Sequence, residues 1–282
     1  LNLAALKHVR SEKDPYTLTR MLRVNVLNSI RLQRFCDKFE NCKYFCVSTD
    51  KAANPANIMG ASKLMMERLL LSNECTTTTS FARFANVAFS DGSLLHGFIN
   101  RIRAKQPLTA PSDIKRYFVS KQESGQICLL SAVLGGDSEI FFPKLDATKD
   151  LLSFKDLTYR FLNALDLSVH ECESEYEARN FFKTNNNKNK TWPCYFFESD
   201  TTGEKPFEEF HTKQEILDLS RFASLGIIKK NRVKIDVNNI LDQLEHLSEY
   251  SQPKKSDILK IVNKIVPEFE HQELGRYLDE KM

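Results

Sequence analysis

Glycine is scarce in this sequence. Only nine of the 282 residues are glycine, and no G-x-G-x-x-G string is present. That string lays the phosphates of a dinucleotide on the N-terminus of a helix. Its absence excludes a dinucleotide phosphate site of this type from these residues. The first residues, 1–5, read as part of a strand and include no methionine, so we interpret the N-terminus as a cut.

Long apolar runs and an excess of one charge are also absent. No apolar stretch is long enough for a transmembrane helix, and no signal peptide opens the chain. The formal net charge is only +3, which gives no argument for a nucleic-acid partner. Seven cysteines without a CxxC pair favour reduced thiols over a disulfide framework or a zinc site. We therefore expect a cytoplasmic protein with no metal, no nucleic acid and no membrane span.

Strand and helix patterns alternate along the first half of the chain. Short apolar runs rich in β-formers indicate strands, and helical spacing of apolar residues indicates helices. The predicted order is a strand end at 1–6, a helix at 14–39, a strand at 43–48, a helix at 54–71, a strand at 80–87 and a helix at 94–105. Asp14 and Pro15 supply the cap and first turn of the first helix. This order predicts an α/β fold with a parallel sheet.

The second half of the chain is less regular. Helical spacing recurs at 156–165 and 256–282, whereas 183–191 reads KTNNNKNKT, which has no apolar residue. Such a segment predicts an exposed loop. We therefore expect a domain at 1–170, a loop or linker at 171–191 and a C-terminal region at 192–282.

Lys63 interrupts an apolar stripe of the helix predicted at 54–71. Met59, Lys63, Met66 and Leu70 follow i, i+4, i+7, i+11 spacing and share one helix face. One interpretation is that the ammonium reaches solvent along its methylene stem. The other is that it serves a site, because lysine is rarely buried without a partner.

Asp50 and Lys51 follow the strand predicted at 43–48, at the edge where parallel sheets bind ligands. Adjacent opposite charges can form a solvated turn with a weak ion pair. Alternatively, Asp50, Lys51 and Lys63 form an acid–base cluster. In that cluster each lysine lowers the pKa of the other, which makes one of them a base near neutral pH.

Four strings carry a resemblance to a known family. They are ALKHV (5–9), STDKAANPANIMGASK (48–63), RFANVAFSDGSL (83–94) and QPLTAPSDIKRYF (106–118). In this order, over about residues 1–145, the chain resembles the extended short-chain dehydrogenase/reductases. It resembles more closely the nucleotide-sugar 4,6-dehydratases of bacterial polysaccharide and nonulosonic-acid synthesis. SDTTGEKPFEEF (199–210) and HQELGRYLDEKM (271–282) are similar to dehydratases of legionaminic acid pathways.

The resemblance implies both a fold and a reaction. The fold is a Rossmann-like doubly wound parallel sheet, here without its N-terminal strands, and a smaller C-terminal α/β substrate region. A nicotinamide cofactor, NAD or NADP, takes hydride from C4 of a UDP- or GDP-linked N-acetylglucosamine. Water leaves across C5 and C6, and hydride returns to C6 to give a 4-keto-6-deoxy sugar.

The matched strings also imply residue roles. Lys63 matches the lysine that binds the nicotinamide ribose, and Thr49 matches a hydroxyl beside the sugar. The family usually has tyrosine where this chain has Met59, but an active subset has methionine. Without a phenol, Asp50 is expected to act as acid toward the C6 hydroxyl and Lys51 as base at C5. The group that deprotonates the C4 hydroxyl stays open.

Further contacts are implied outside this turn. Ala4 and Ala5 are expected beside the cofactor, and Lys7 and Asn86 beside the substrate. Arg116 is expected near the diphosphate, where a guanidinium suits bidentate contact; the alternative for Arg116 is a surface arginine. The chain departs from the family pattern at positions 85, 89 and 91, where it has Ala, Phe and Asp. These departures concern sugar or phosphate placement and not the fold.

Two other functions stay open. A sugar-nucleotide epimerase would use the same fold but needs no acid to expel the C6 hydroxyl, which argues against it. An inactive remnant or binding module is the alternative from another class. The helices at 14–39 and 55–71 are expected to form the dimer interface of a homo-oligomer.

Overall fold

The computed structural model describes residues 1–7, 12, 14–184, 190–199, 203–249 and 252–271. The strands in these ranges are β1 (Lys43–Thr49), β2 (Thr78–Phe84), β3 (Asn86–Val87), β4 (Leu108–Pro111), β5 (Lys115–Arg116), β6 (Phe118–Val119), β7 (Glu139–Pro143), β8 (Leu152–Ser153), β9 (Ser168–Cys172), β10 (Thr191–Phe197), β11 (Ile216–Asp218) and β12 (Leu225–Lys229). The helices are α1 (Pro15–Leu22), α2 (Asn28–Cys36), α3 (Ile58–Leu70), α4 (Leu94–Arg103), α5 (Lys121–Leu134), α6 (Phe154–Asn163), α7 (Glu175–Thr184), α8 (Val237–Glu249) and α9 (Lys255–Ile265). A π-helical turn, Arg23–Leu27, joins α1 to α2, and a 3₁₀ turn, Asp50–Ala52, follows β1.

The main sheet has the order β1-β2-β7-β12-β11. β1, β2 and β7 are parallel, which confirms the predicted α/β fold. β12 pairs with β7 antiparallel and β11 pairs with β12 antiparallel, so the sheet is mixed. The pair of β11 and β12 is antiparallel because their connection is too short for a crossover.

The strand predicted at 1–6 is reduced to one bridge. Asn2 pairs with Cys46 of β1, with its backbone bonded to Phe45 and Val47. Its buried side chain donates to Tyr44 Oη at 2.8 Å and to Ser29 Oγ at 3.0 Å. The segment therefore continues the parallel edge beside β1, although only at one residue.

The helix predicted at 14–39 is α1, the π turn and α2. Asp14 caps it as predicted, accepting from the backbone N–H of Thr17 at 2.9 Å, with Pro15 in the first turn. Asn25 in the π turn donates to the carbonyl of Leu6 at 3.0 Å and to Ser62 Oγ of α3 at 3.1 Å. The π turn thus ties the start of the chain to α3.

The two helices expected to form a dimer interface are partly covered by α8 and α9 of the same chain. α9 packs against α1 and α3, and α8 packs against α1 and the π turn. Buried Ile258, Ile261 and Val262 of α9 belong to the same apolar core as Leu18 and Leu69. α8 and α9 thus cover part of the two helices, whereas Leu32, Phe35 and Phe39 of the predicted helix 14–39 stay exposed. The homo-oligomer and the location of its interface stay predictions.

A second sheet has the order β4-β10-β9 and is packed by α4, α6 and α7. The predicted loop at 171–191 is wrong in its first part, since β9 ends at Cys172 and α7 runs from 175 to 184. The polar run begins in the last two residues of α7, whose Ala178 and Phe181 are buried; residues 185–189 lie outside the described ranges. The proposed domain boundaries stay a prediction, although 192–282 contributes strands to both sheets. Among the described residues, no helix has the length and apolar character needed to cross a membrane.

Candidate active site

The carboxyl end of β1 holds three of the predicted catalytic residues together. Asp50 Oδ1 accepts hydrogen bonds from Thr49 Oγ1 at 2.9 Å, from the backbone N–H of Lys51 at 2.9 Å and from Lys51 Nζ at 3.1 Å. The side chain of Asp50 is 3% exposed and that of Lys51 is 16% exposed. A solvated turn is therefore the wrong interpretation, because this ion pair is mostly withdrawn from water.

Asn86 joins this cluster from the next strand. β1 and β2 run parallel, with Thr49 opposite Phe84, so the two strands end at the same edge. The chain leaves β2 at Ala85 and begins β3 with Asn86, whose Oδ1 accepts from Lys51 Nζ at 3.4 Å. The predicted strand at 80–87 is thus two strands, and the break brings an amide to Lys51.

Lys63 lies behind the turn and does not reach solvent. It is 3% exposed, and its Nζ donates to the carbonyl of Val47 at 3.0 Å and contacts Met66 Sδ at 3.7 Å. Burial lowers the pKa of Lys63, while Cys46 and Glu67 oppose that shift. Burial is the largest cause of this lowered pKa, and an acid–base cluster of Asp50, Lys51 and Lys63 stays a prediction.

A buried network of ion pairs and hydrogen bonds connects β1, β2 and α3. Arg83 of β2 is fully buried and bonds both oxygens of Glu67 in α3, Nε to Oε1 at 3.0 Å and Nη2 to Oε2 at 2.6 Å. Arg83 also bonds both oxygens of Glu215 at 3.0 Å. Ser48, just before Thr49, donates to Glu67 Oε1 at 2.6 Å. This network fixes β1, β2 and α3 relative to one another at the catalytic edge.

Met59 and Gly60 lie where α3 comes close to the 3₁₀ turn Asp50–Ala52. Met59 is buried and its backbone N–H donates to Glu12 Oε1 at 3.0 Å. A Cβ atom at Gly60 would lie 2.5 Å from the carbonyl oxygen of Lys51. Only glycine permits this close approach. Gly60, which belongs to the string STDKAANPANIMGASK, therefore sets the distance between α3 and the turn at Lys51.

Glu208 is a site residue that the sequence reasoning missed. Its carboxyl group is buried; Lys205 Nζ lies 3.3 Å from one oxygen and Arg116 Nη2 lies 4.0 Å from the other. Burial raises the pKa of Glu208, Asp50 raises it further, and Lys51 lowers it. The acidic string GEKPFEEF gave no signal that one of its glutamates is buried beside Arg116 of β5.

Arg116 is buried and not at the surface. Its Nη1 donates to the carbonyls of Lys115, Lys205 and Pro206 at 2.8, 2.9 and 3.3 Å, and its Nη2 lies 3.5 Å from Glu204. The surface alternative is therefore wrong. Contact with a diphosphate stays a prediction, and it requires these protein partners to move aside.

The remaining predicted residues lie near the start of the chain. Lys7 is exposed, and its Nζ donates to Ser90 Oγ at 3.2 Å, beyond the end of β3. Ala4 and Ala5 are exposed, and Ala4 N–H donates to Asn2 Oδ1 at 3.2 Å. The structure thus brings Lys7 to the edge that carries Asn86, while the binding roles of all three residues stay predictions.

One group of metal-ligand type occurs among the described residues. Potential ligand atoms of His170, Cys172 and Glu177 lie within 4.8 Å of one another, in the second sheet and α7. Glu177 Oε2 accepts from the N–H of Glu173, and the His170 ring packs on Phe181. These contacts explain the cluster as a helix start and a ring contact, without a metal.

Comparison with known proteins assigns the family. The family described as "Polysaccharide biosynthesis protein" matches residues 1–180. The chain belongs to this family. It is 30% identical over 267 residues to the capsular polysaccharide biosynthesis protein CapD of Staphylococcus aureus, covering 93% of this chain and 39% of CapD. It is 28% identical over 203 residues to a UDP-N-acetylglucosamine 4,6-dehydratase (inverting) of Campylobacter jejuni, covering 64% of this chain and 60% of that enzyme.

This member of the family spans only part of its relatives. It covers 66% of an uncharacterized membrane protein of Methanocaldococcus jannaschii, at 29% identity over 243 residues. Among solved structures, Pen from Bacillus thuringiensis matches with a TM-score of 0.62 and 20% identity, over 94% of this chain and 74% of Pen. A UDP-glucuronic acid 4-epimerase from Bacillus cereus, solved with a fluorinated UDP-sugar and NAD, matches with a TM-score of 0.56 and 15% identity, over 75% of this chain and 66% of the epimerase. These likenesses confirm the Rossmann-like fold.

Proposed function

We propose that this chain carries the acid–base half of a nucleotide-sugar 4,6-dehydratase. The observation that carries the proposal is the hydrogen-bonded cluster of Thr49, Asp50 and Lys51, which is mostly shielded from water. Asn86 bonds to Lys51 in this cluster, and Met59 stands nearby in place of the family phenol. The relationship to a named UDP-N-acetylglucosamine 4,6-dehydratase supports it. The substrate would be a UDP- or GDP-linked N-acetylglucosamine, and the reaction class is a hydro-lyase.

The described residues fit one end of a nicotinamide cofactor. The hydrogen bonds of Lys63 Nζ go to Val47 O and Met66 Sδ, so a ribose hydroxyl would take a third donor position of the ammonium. Ala4 and Ala5 would line the same side, whereas the glycine-rich phosphate string is absent from these residues. When bound, NAD or NADP supplies the acceptor and donor of the hydride. Two of the structural neighbours were solved with NAD.

The residues of the turn divide the proton transfers. The ammonium proton of Lys51 first moves along the hydrogen bond to Asp50, which leaves Lys51 as an amine. Asp50 then gives that proton to the departing C6 hydroxyl, and Lys51 takes the proton from C5 as the C5–C6 double bond forms. Thr49 positions the sugar beside them, and Asn86 holds the Lys51 side chain toward the edge of the sheet. Lys7 and Arg116 would contact the substrate farther from the reacting carbons. A cytoplasmic location and a homo-oligomer belong to the same proposal.

An epimerase is the second candidate. UDP-glucose 4-epimerase of Rickettsia canadensis is 32% identical over 135 residues, which is 45% of this chain and 39% of that enzyme. A dehydratase removes water from the sugar, whereas an epimerase leaves its mass unchanged. The buried Asp50 side chain bonded to Lys51 favours the dehydratase, because expulsion of a hydroxyl needs a group that can deliver a proton.

The test is incubation of the complete gene product with UDP- and GDP-linked N-acetylglucosamine. We expect a product lighter by one water in mass spectra and, in deuterated solvent, deuterium at C5. A product of unchanged mass with inverted C4 would support the epimerase. Absence of turnover with bound cofactor would support a binding module.

A further inference from the structure

Two successive turns follow β3 at the edge of the candidate active site. The backbone N–H of Ser90 donates to the carbonyl of Val87 at 3.2 Å, and that of Ser93 donates to the carbonyl of Ser90 at 3.0 Å. The third residue of each turn has a left-handed backbone, with φ of 56° at Phe89 and 70° at Gly92. A turn with positive φ at its third residue normally has glycine or asparagine there. The second turn has glycine, whereas the first has phenylalanine.

Phenylalanine is an unfavourable residue for this backbone conformation. In the left-handed region the Cβ atom crowds the carbonyl oxygen that follows, and only glycine avoids that contact. The other non-glycine residues with positive φ in the described ranges are asparagine, aspartate, serine and lysine. Among them, Phe89 alone has an apolar ring. Strained backbone of this kind persists where the surrounding structure holds it, and it clusters at ligand sites.

Contacts on both sides of Phe89 hold the strained turn in place. The backbone N–H of Ala88 donates to the carbonyl of Val119 in β6 at 2.8 Å. Ser90 Oγ accepts from Lys7 Nζ at 3.2 Å. Phe89 itself stays 42% exposed, so burial in the core does not explain why an apolar ring stands at this position.

The position of Phe89 relates it to the predicted catalytic residues. Asn86, three residues earlier in the chain, accepts from Lys51 Nζ at 3.4 Å. The ends of a β-turn lie within about 7 Å of each other, so the turn keeps Phe89 near the sheet edge that carries Asn86. In the proposed reaction, C5 and C6 of the hexose lie at Asp50 and Lys51. The base is separated from the hexose by the diphosphate and the ribose, so the hexose is the substrate ring nearest to Phe89.

We propose that Phe89 packs its ring against the hexose of the nucleotide sugar and thereby strengthens binding of the sugar part of the substrate. The C–H groups of a pyranose give one of its faces apolar character, and an aromatic ring placed on that face removes both surfaces from water. The cost of the strained turn is then offset only when the sugar is bound. This inference rests on the proposed function, because it takes a nucleotide-linked hexose as the ligand.

The test compares the affinities of the complete gene product for UDP- and GDP-linked N-acetylglucosamine with those for UDP and GDP alone, by isothermal titration calorimetry. Phe89→Gly removes both the ring and the backbone strain. We expect the Kd of the nucleotide sugar to rise about tenfold, which corresponds to roughly 50 Å² of apolar surface no longer covered. The Kd of the free diphosphate should stay unchanged. The midpoint of thermal unfolding without ligand should stay the same or rise, because glycine accepts this φ without strain.

Two further variants separate the ring from the backbone. Phe89→Trp keeps an aromatic face and should retain the affinity for the nucleotide sugar. Phe89→Asn lacks the ring but tolerates a left-handed backbone, so it should weaken sugar binding as Phe89→Gly does, and it serves if the glycine variant fails to fold. Phe39→Gly is the matched control. Phe39 is 55% exposed and precedes β1, at the opposite end of that strand from Asp50, so its loss should change neither affinity.

Unchanged affinity in both Phe89→Gly and Phe89→Asn would overturn the proposal. Equal losses for the nucleotide sugar and the free diphosphate would overturn it too, because the ring would then act on the nucleotide or on the fold. If the sugar-specific loss is found but no water is eliminated, the dehydratase assignment fails and the contact stands. If water is eliminated but the variants bind normally, the reverse holds. If the unaltered protein binds none of the four ligands, both proposals fail.

Discussion

Lys51 Nζ lies 3.1 Å from Asp50 Oδ1, and the same oxygen accepts from the backbone N–H of Lys51. One carboxylate oxygen therefore fixes both the backbone and the ammonium of its neighbour. In a setting where the aspartate side chain is 3% exposed, the removal of either charge leaves the other poorly compensated. Asp50 and Lys51 therefore act as one unit in the proposed proton transfers.

Asp50→Asn and Lys51→Met should each slow the dehydratase reaction of the complete gene product. Positioned acid–base groups contribute roughly 10² to 10⁴ in rate, or about 3 to 5 kcal/mol of barrier. We expect kcat to fall in that range while substrate still binds, and Lys51→Met to abolish deuterium exchange at C5. Because both act in one step, the double variant should be little slower than the poorer single variant.

Met59→Tyr is the companion variant. It restores the family phenol at a buried position, and we expect activity to change little, because Asp50 and Lys51 carry the proton transfers in the proposed mechanism. Near-normal turnover in both Asp50→Asn and Lys51→Met would place the chemistry elsewhere and remove the basis of the dehydratase assignment.

Lys63→Met should be tolerated or should stabilise the fold at neutral pH. Burial lowers the pKa of Lys63 below 10.5, so between its folded pKa and 10.5 the unfolded chain binds more protons. Stability of the native protein therefore rises with pH through that window. The advantage of Lys63→Met should be largest below the window and shrink toward pH 10.5, as measured by denaturant unfolding. Unfolding of the variant at neutral pH would show that the lysine is structural.

Gly60→Ala should displace the catalytic turn. Its new Cβ would lie 2.5 Å from the carbonyl oxygen of Lys51, and backbone must move to relieve that contact. We expect loss of turnover together with lower stability in thermal unfolding. Gly97→Ala, in α4, meets no atom within 4 Å and should stabilise by about 0.5 to 1 kcal/mol. Equal effects of the two changes would show that the approach at Gly60 is not needed.

Arg83→Met should be among the most damaging substitutions. It leaves Glu67 buried without its cation and leaves Glu215 paired with Lys230 alone, and an uncompensated buried charge typically costs about 3 to 5 kcal/mol. Arg31→Met removes an ion pair with Glu245 whose side chains are 50% and 44% exposed, and such pairs contribute about 0 to 1 kcal/mol. Denaturant unfolding of both variants checks the contrast, and a loss at Arg83 below about 1 kcal/mol would contradict the network's role.

The sequence was informative where chemistry and structure are local. The apolar run at 43–48 and the helical spacing from Met59 to Leu70 predicted β1 and α3, because period and residue type set both elements. The predicted parallel pairing of β1 with the next strand placed Asp50 at the edge of the sheet where ligands bind. Nothing local could reveal that Glu208 returns to this edge, or that α9 covers α3, because those contacts join distant parts of the chain. The burial of Lys63 could not be predicted from the sequence either, because the methylene stem of a lysine can lie in the core or extend to solvent.

Val262→Asp should uncover the face that we expected to form a dimer. Val262 is fully buried where α9 packs against α1 and α3, and a carboxylate there should release α9. The exposed apolar surface should then produce dimers or larger species in light scattering after gel filtration. Asn263→Asp, the adjacent exposed position, is the control and should leave the mass unchanged. A monomeric, folded Val262→Asp variant would argue against this view.

The contacts of the segment 203–215 fix when the site can be assembled. Asn57 and Gly203 are 146 residues apart, and Arg83 and Glu215 are 132 apart. Closing loops of that length is slow compared with the pairing of β1 and β2, because ordering entropy must be lost before the contact forms. During synthesis from the N-terminus, the turn that contains Asp50 and Lys51 is therefore complete long before Glu208 is added to the chain. Partly made chains would carry Asp50 and Lys51 on an edge that still lacks the bonds of Asn57 to Gly203 and of Arg83 to Glu215.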